Sequence, residues 1–134
     1  EVSESAPLPD TGTLRGDLLE LYRLYARNLL TPGGPIIPAL VAESLHDAEL
    51  AQIIDRYTEQ RRVLAMKVFE RAIERGEMAA DVDSGLLIDV VSGFFWYRKL
   101  LRRRPIRGDQ AALFVDVLLD GISSANAKRT SPDA

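Results

Sequence analysis

The sequence contains no cysteine and a single histidine, His46, among 134 residues. Without thiols there is no disulfide framework and no thiolate metal site, and one imidazole excludes most histidine-based metal centres. Glu43 and His46 do have the i, i+3 spacing of a di-iron carboxylate ligand pair. That site needs a second Glu-x-x-His and further glutamates, so no metal and no cofactor is expected. No apolar run approaches the roughly 18 residues that cross a bilayer. The first ten residues, EVSESAPLPD, are acidic and lack the apolar core of a signal peptide. A reducing, cytoplasmic setting without a membrane partner is expected. Strand-like alternation of useful length is missing, as are internal repeats at periods of about 20 to 50 residues. There is also no Ser-His-Asp grouping, Gly-rich phosphate loop or paired-carboxylate arrangement, so the chain is not expected to be an enzyme.

What is present suits one globular domain, with 46% apolar and 28% charged residues. The spacing predicts helices only. A first helix begins near Thr13, with Leu14, Leu18, Leu21, Tyr22, Tyr25, Ala26 and Leu29 at three- and four-residue intervals, and TPGGP ends it. A short second helix from about Ile36 to His46 carries Ile37, Leu40, Val41 and Leu45 on one side. Asp47 caps a third helix that runs to Arg75 on a stripe of Leu50, Ile53, Ile54, Tyr57, Leu64, Val68 and Ala72, and Gly76 stops it in a left-handed conformation. Asp83 caps a fourth helix reaching about Arg103. Asp109 caps a fifth, with Phe114, Val117, Leu118, Gly121 and Ile122 inward. Residues 1–12 read as a linker, 13–125 as the helical domain and 126–134 as a loose tail.

Three features bear on function. First, at 100° per residue the fourth helix has two apolar arcs. One holds Leu87, Val91, Phe94 and Leu101; the other holds Leu86, Gly93, Trp96, Tyr97 and Leu100. The fifth helix has a similar flank of Ala112, Val115 and Leu119. This exceeds what one small core covers and predicts an interface in which Gly93 and Gly121 let backbones approach, unless the fourth helix is simply central.

Second, the run Arg98, Lys99, Arg102, Arg103, Arg104 and Arg107 follows four aromatics. The net charge of −3 argues against a polyanion-binding module. Phe94 and Trp96 lie on different arcs, which is not a base-stacking platform. The cations are expected to close the helix against its dipole, with their stems on apolar surface and their heads wet. Third, Tyr22, Tyr25, Leu29, Ile37, Leu40, Ser44, Tyr57 and Arg61 fall on the interior side of helices one to three. A small-molecule cavity has this composition, and so does an ordinary core with satisfied tyrosine hydroxyls.

The order DTGTLRGDLLELYRLYARNLL, then LVAESLHDAEL through WYRKLL, then PIRGDQAALFVDVLLDGI resembles the C-terminal ligand-binding and dimerisation region of TetR-family transcriptional regulators, over about residues 10 to 122. The most specific piece is RAIERGEMAADVD, Arg71 to Asp83, where that family commonly has Ala-x-x-Arg-Gly-Glu followed by spaced aspartates. The resemblance implies a five-helix all-α domain whose last two helices pack with those of a second copy as an intermolecular four-helix bundle. It makes Gly93, Trp96, Tyr97, Leu100, Phe114, Val117, Leu118 and Gly121 the candidate dimer residues, and it extends the pocket to Phe94 by placing it among helices one to four. It implies a homodimeric repressor released from operator DNA by a small hydrophobic effector. No helix-turn-helix precedes Asp10, and the chain starts at Glu1, so a regulatory fragment is expected, with DNA bound only through a missing N-terminal domain. The alternative is a helical protein–protein module that uses the fourth-helix face and takes no small ligand.

Overall fold

In a computed structural model, residues 7–30 and 36–130 are described, with side chains at 7–27 and 36–122. The apolar periods fold as α1 (Leu14–Leu30), α2 (Ile36–Ser44), α3 (Ala48–Glu74), α4 (Ser84–Tyr97) and α5 (Gly108–Thr130), and no strand occurs among the described residues. Two helix starts follow the expected chemistry. The Asp47 carboxylate accepts the Leu50 amide at 3.0 Å and Asp83 accepts the Leu86 amide at 3.0 Å, each using an amide that the first turn leaves free. Gly76, at φ 78°, ends α3 in the left-handed region, where a side chain is strained.

The core is shared by four helices: Leu14, Leu18, Leu21 and Tyr22 of α1, Ala65, Val68, Phe69 and Ala72 of α3, Leu87, Ile88, Val91 and Phe95 of α4, and Ala111, Val115 and Ile122 of α5. Helix α1 contacts both α3 and α5, and α4 lies on α3. The buried Tyr22 hydroxyl donates to the Val91 carbonyl at 3.0 Å, which fastens α1 to α4. Its ring meets Phe94 and Phe114 edge-on, while those two stack 4.2 Å apart. No helix among the described residues is long and apolar enough to cross a membrane.

Four details depart from the reading of the sequence. On α3 the tight packing is confined to the C-terminal half. Ile53 and Tyr57 are exposed, and α2, which packs on α3, buries none of its residues. On α5 Ile122 is buried and Phe114 and Leu118 pack half-buried on the core as expected, but Val115, read as a flank, is 0% exposed and Val117 is 61% exposed, so the buried face is shifted toward Val115. Asp109 does not cap α5. The Arg107 amide donates to Gln110 Oε1 at 3.3 Å, half of a capping box, and Asp109 instead pairs with the Arg107 guanidinium at 3.1 Å. Finally, the domain extends past its expected limits, since Pro9 is buried, Leu8 packs on the core and α5 continues to Thr130.

Arg15 of α1 reaches Asp116 of α5 at 2.8 Å, and the hydrogen-bonded guanidinium holds the Asp116 carboxyl below the usual carboxylate range. Because the carboxyl is more acidic folded than unfolded, its contribution is present above about pH 4 and is lost as pH falls through the folded value. Asp116→Asn is therefore expected to leave acid unfolding below that pH less steep, with little change at pH 7, since the pair is half exposed. Thermal melts of both proteins at a series of acid pH values check this.

Candidate functional site

The site begins where α4 stops being an α-helix. Over Arg98–Arg102 the chain widens into a π-helical turn, and Arg103 follows in the left-handed region at φ 51°. A non-glycine residue there costs on the order of 1 kcal/mol, which the surrounding structure must offset. The Arg98 carbonyl accepts both the Arg103 amide and, at 3.2 Å, the Arg104 amide, and Pro105 prevents any continuation. Such turns recur at functional sites.

The turn gathers charge. At 100° per residue a regular helix would spread Arg98, Lys99, Arg103 and Arg104 over about two-thirds of its circumference. Here all four line one cavity of about 620 Å³, together with Arg23 of α1. The buried part of the wall is apolar, with Tyr22, Phe95 and Ala111, and half-buried Leu19 and Ile106 continue it. Ala26, Pro105 and Gly108 complete the lining, which contains no aspartate or glutamate among the described residues.

Arg98 is the best-held of the cations. Its Nη2 donates to the Pro105 carbonyl at 3.2 Å and to Gln110 Oε1 at 3.0 Å, while its Nε is buried without a partner among the described residues. Arg23 pairs with Glu20 at 3.1 Å. Lys99, Arg103 and Arg104 are exposed and have no ion-pair partner among the described residues. Burial, with a smaller contribution from Tyr25, pushes the Tyr22 phenol up, so it remains a neutral donor.

Of the expected pocket residues only Tyr22 lines this cavity. Tyr25 is half-buried against Phe95, with rings 5.1 Å apart, and Phe94 is stacked in the core. Ile37, Ser44 and Arg61 are half-buried, and the Ser44 hydroxyl is used on the Val41 carbonyl at 2.6 Å. Leu40 and Tyr57 are exposed, and the Leu29 side chain lies outside the described residues. The cavity lies against α1, the end of α4 and the α4–α5 connection, whereas α2 packs on α3 and contributes no lining residue. The sequence held one signal for it, a cation run unbroken by any acid between Trp96 and Gly108 in a chain of net charge −3.

The expected interface residues divide. Gly93, Tyr97, Leu100, Val117 and Gly121 are exposed, whereas Trp96, Phe114 and Leu118 are half-buried against the core. Leu86 and Val90 extend the exposed stripe along α4, and Leu113 extends it on α5. A Cβ at Gly93 or Gly121 would meet nothing within 4 Å, so packing inside this chain does not require a glycine at either position.

A polar clamp occupies the start of α1. Asp17, fully buried, accepts the Thr11 amide at 2.7 Å, the Thr11 hydroxyl at 2.9 Å and Arg75 Nη2 at 3.4 Å. Arg75 also pairs with Glu77 at 2.8 Å, and Glu77 accepts the Leu14 amide at 3.1 Å. Arg71 binds the Pro9 carbonyl and pairs with Asp10 at 3.4 Å. The Arg-Gly-Glu turn thus holds residues 9–14 against the end of α3.

Comparison with known proteins fits this architecture. Residues 8–118 match the family model described as "Tetracyclin repressor-like, C-terminal domain". An uncharacterized HTH-type transcriptional regulator of Mycobacterium bovis is 29% identical over 123 residues, 91% of this chain and 61% of the relative. YdeS of Bacillus subtilis, another HTH-type transcriptional regulator, is 26% identical over 126 residues, 93% of this chain and 64% of the relative. The crystal structure of the TetR family transcription regulator SCO0332 superposes with a TM-score of 0.75 at 36% identity, over 86% of this chain and 64% of that one. The chain thus spans less than two-thirds of the length of each of these relatives.

Proposed function

The chain belongs to the TetR family of transcriptional regulators as a C-terminal domain, and from that premise we propose that it is the effector-binding and homodimerisation part of a cytoplasmic repressor. The observation that carries the reading is the cavity of about 620 Å³ walled by α1, the end of α4 and the start of α5. That size and the apolar lining are those of a small-molecule site. The same two late helices bear the exposed apolar stripe on their other side, around Gly93, Tyr97 and Val117.

This arrangement supports a mechanism without chemistry on the ligand. An effector that prefers one setting of α4 against α5 shifts the population of dimer geometries by its differential affinity, and the coupling is reciprocal. Typical couplings of about 1–3 kcal/mol suffice to change operator occupancy severalfold or more. Operator DNA would be gripped by a helix-turn-helix unit, the type that the relatives' names record.

A cavity that binds must stabilise the native state. A saturating ligand, at about a hundred times its Kd, is expected to add about 2.7 kcal/mol. Ala26→Trp fills the cavity from an exposed position on α1. A thermal-shift screen of apolar small molecules, charged and neutral, should give hits on the wild type that this variant loses while its own melting temperature stays close to that of the wild type. Hits unaffected by Ala26→Trp, or none at all, would remove the cavity as an effector site.

A further inference from the structure

We infer that the effector is an apolar molecule carrying one oxyanion headgroup, a carboxylate or a phosphate monoester, held by the cations of the π-helical turn; this rests on the effector-cavity reading above. The chain has 20 acidic and 17 basic residues, so there are acids enough to neutralise every base. Yet the cavity is lined by Arg23, Arg98, Lys99, Arg103 and Arg104 and, among the described residues, by no acid. Like charges gathered at one mouth repel. The backbone adds to the cost by taking Arg103 through a left-handed conformation to place them there.

The remaining donors define the headgroup. Glu20 already occupies Arg23, and Gln110 with the Pro105 carbonyl occupies one nitrogen of Arg98. Arg98 Nε is enclosed, which leaves Lys99, Arg103 and Arg104, exposed on the lining and without an ion-pair partner among the described residues, as the free cations. Guanidinium forks match carboxylate and phosphate oxygens. Buried Tyr22, Phe95 and Ala111 offer the rest of the ligand an apolar bed. A neutral apolar molecule would leave the cations uncompensated, and a small inorganic anion would leave the bed unused.

The test is isothermal titration of the full 134-residue chain with dodecanoate, dodecyl phosphate and the neutral 1-dodecanol. At least one anion should bind about tenfold or more tightly than the alcohol, a difference of about 1.4 kcal/mol, and the preference should shrink as salt rises. Lys99→Gln/Arg104→Gln, which alters only exposed side chains, should reduce the preference severalfold with little effect on dodecanol. Arg98→Met should reduce it further, and its melting curve separates lost recognition from lost folding. The ratio of the two anions decides which headgroup is used. Dodecanol binding as tightly as both anions, or an anion preference that persists in all these variants, overturns the anionic class while leaving the effector cavity standing. Failure of every probe to bind, or binding that survives Ala26→Trp, removes the cavity reading and this inference with it. A short DNA duplex that binds as the anions were expected to, and is lost in the Lys99→Gln/Arg104→Gln variant, overturns the inference in favour of nucleic-acid phosphates.

Discussion

Gly93→Arg is expected to convert a dimer into a monomer without unfolding it. Gly93 is exposed in the middle of the α4 stripe, with Leu86 and Val90 before it and Tyr97 and Leu100 after it, and Val117 and Gly121 expose the corresponding face of α5. A Cβ there meets nothing within 4 Å, so the isolated chain has room for a side chain. A paired copy does not, if its helix approaches at the glycine. An arginine would hold the backbones apart or be buried unpaired, and removing the partner of a buried charge costs about 3–5 kcal/mol. Dimer association should therefore weaken by about a hundredfold or more. Sedimentation velocity at low micromolar concentration reads the loss, with circular dichroism and melting temperature near those of the wild type. A wild-type chain that sediments as a monomer, or a variant that associates as tightly as the wild type, would sink the dimer face.

The second large effect is on stability. Asp17→Ala removes a fully buried carboxylate that accepts from the Thr11 amide, the Thr11 hydroxyl and Arg75. Losing it leaves the Thr11 donors and part of the Arg75 charge unmatched, at a cost of about 3 kcal/mol. For a domain of this size that lowers Tm by about 10 °C. Asp17→Asn should cost less, because its amide oxygen still accepts from Thr11. Adding Arg75→Met to Asp17→Ala should cost less than the two single changes summed, since the pair is coupled. If Asp17→Ala melts within about 2 °C of the wild type, the clamp does not stabilise the fold as argued. Because the clamp holds residues 9–14 to the end of α3, the same variant should loosen that segment first, which hydrogen exchange at Leu14 reports.

Much of the helical outline was legible because helix ends are local chemistry. Asp47, Asp83 and Gly76 work through their own backbone neighbourhood, so their roles follow from side-chain type and position alone. The stripe on α4 was legible for the same reason, since a second apolar arc is visible at 100° per residue whatever the helix packs on. The inward side of α5 was not. Val115 and Val117 are equally apolar, and which of them faces α1 depends on how the helix is rolled after Pro105.

The cavity shows the division most clearly. The sequence by itself determined an all-helical chain, the family it joins, and a cation run placed immediately after an aromatic segment. It did not determine where those cations point. Read as a regular helix, Arg98 to Arg104 close the C-terminus and stay in water. Only the tertiary structure, through a π-helical turn, a left-handed Arg103 and the seat that Gln110 gives Arg98, turns them onto a single cavity beside Tyr22. The physical reason is that the run's own periodicity is an α-helical one. The departure from it rests on the Arg98 carbonyl taking two amides and on the bonds of its guanidinium to Pro105 and Gln110, contacts that an α-helical period does not encode.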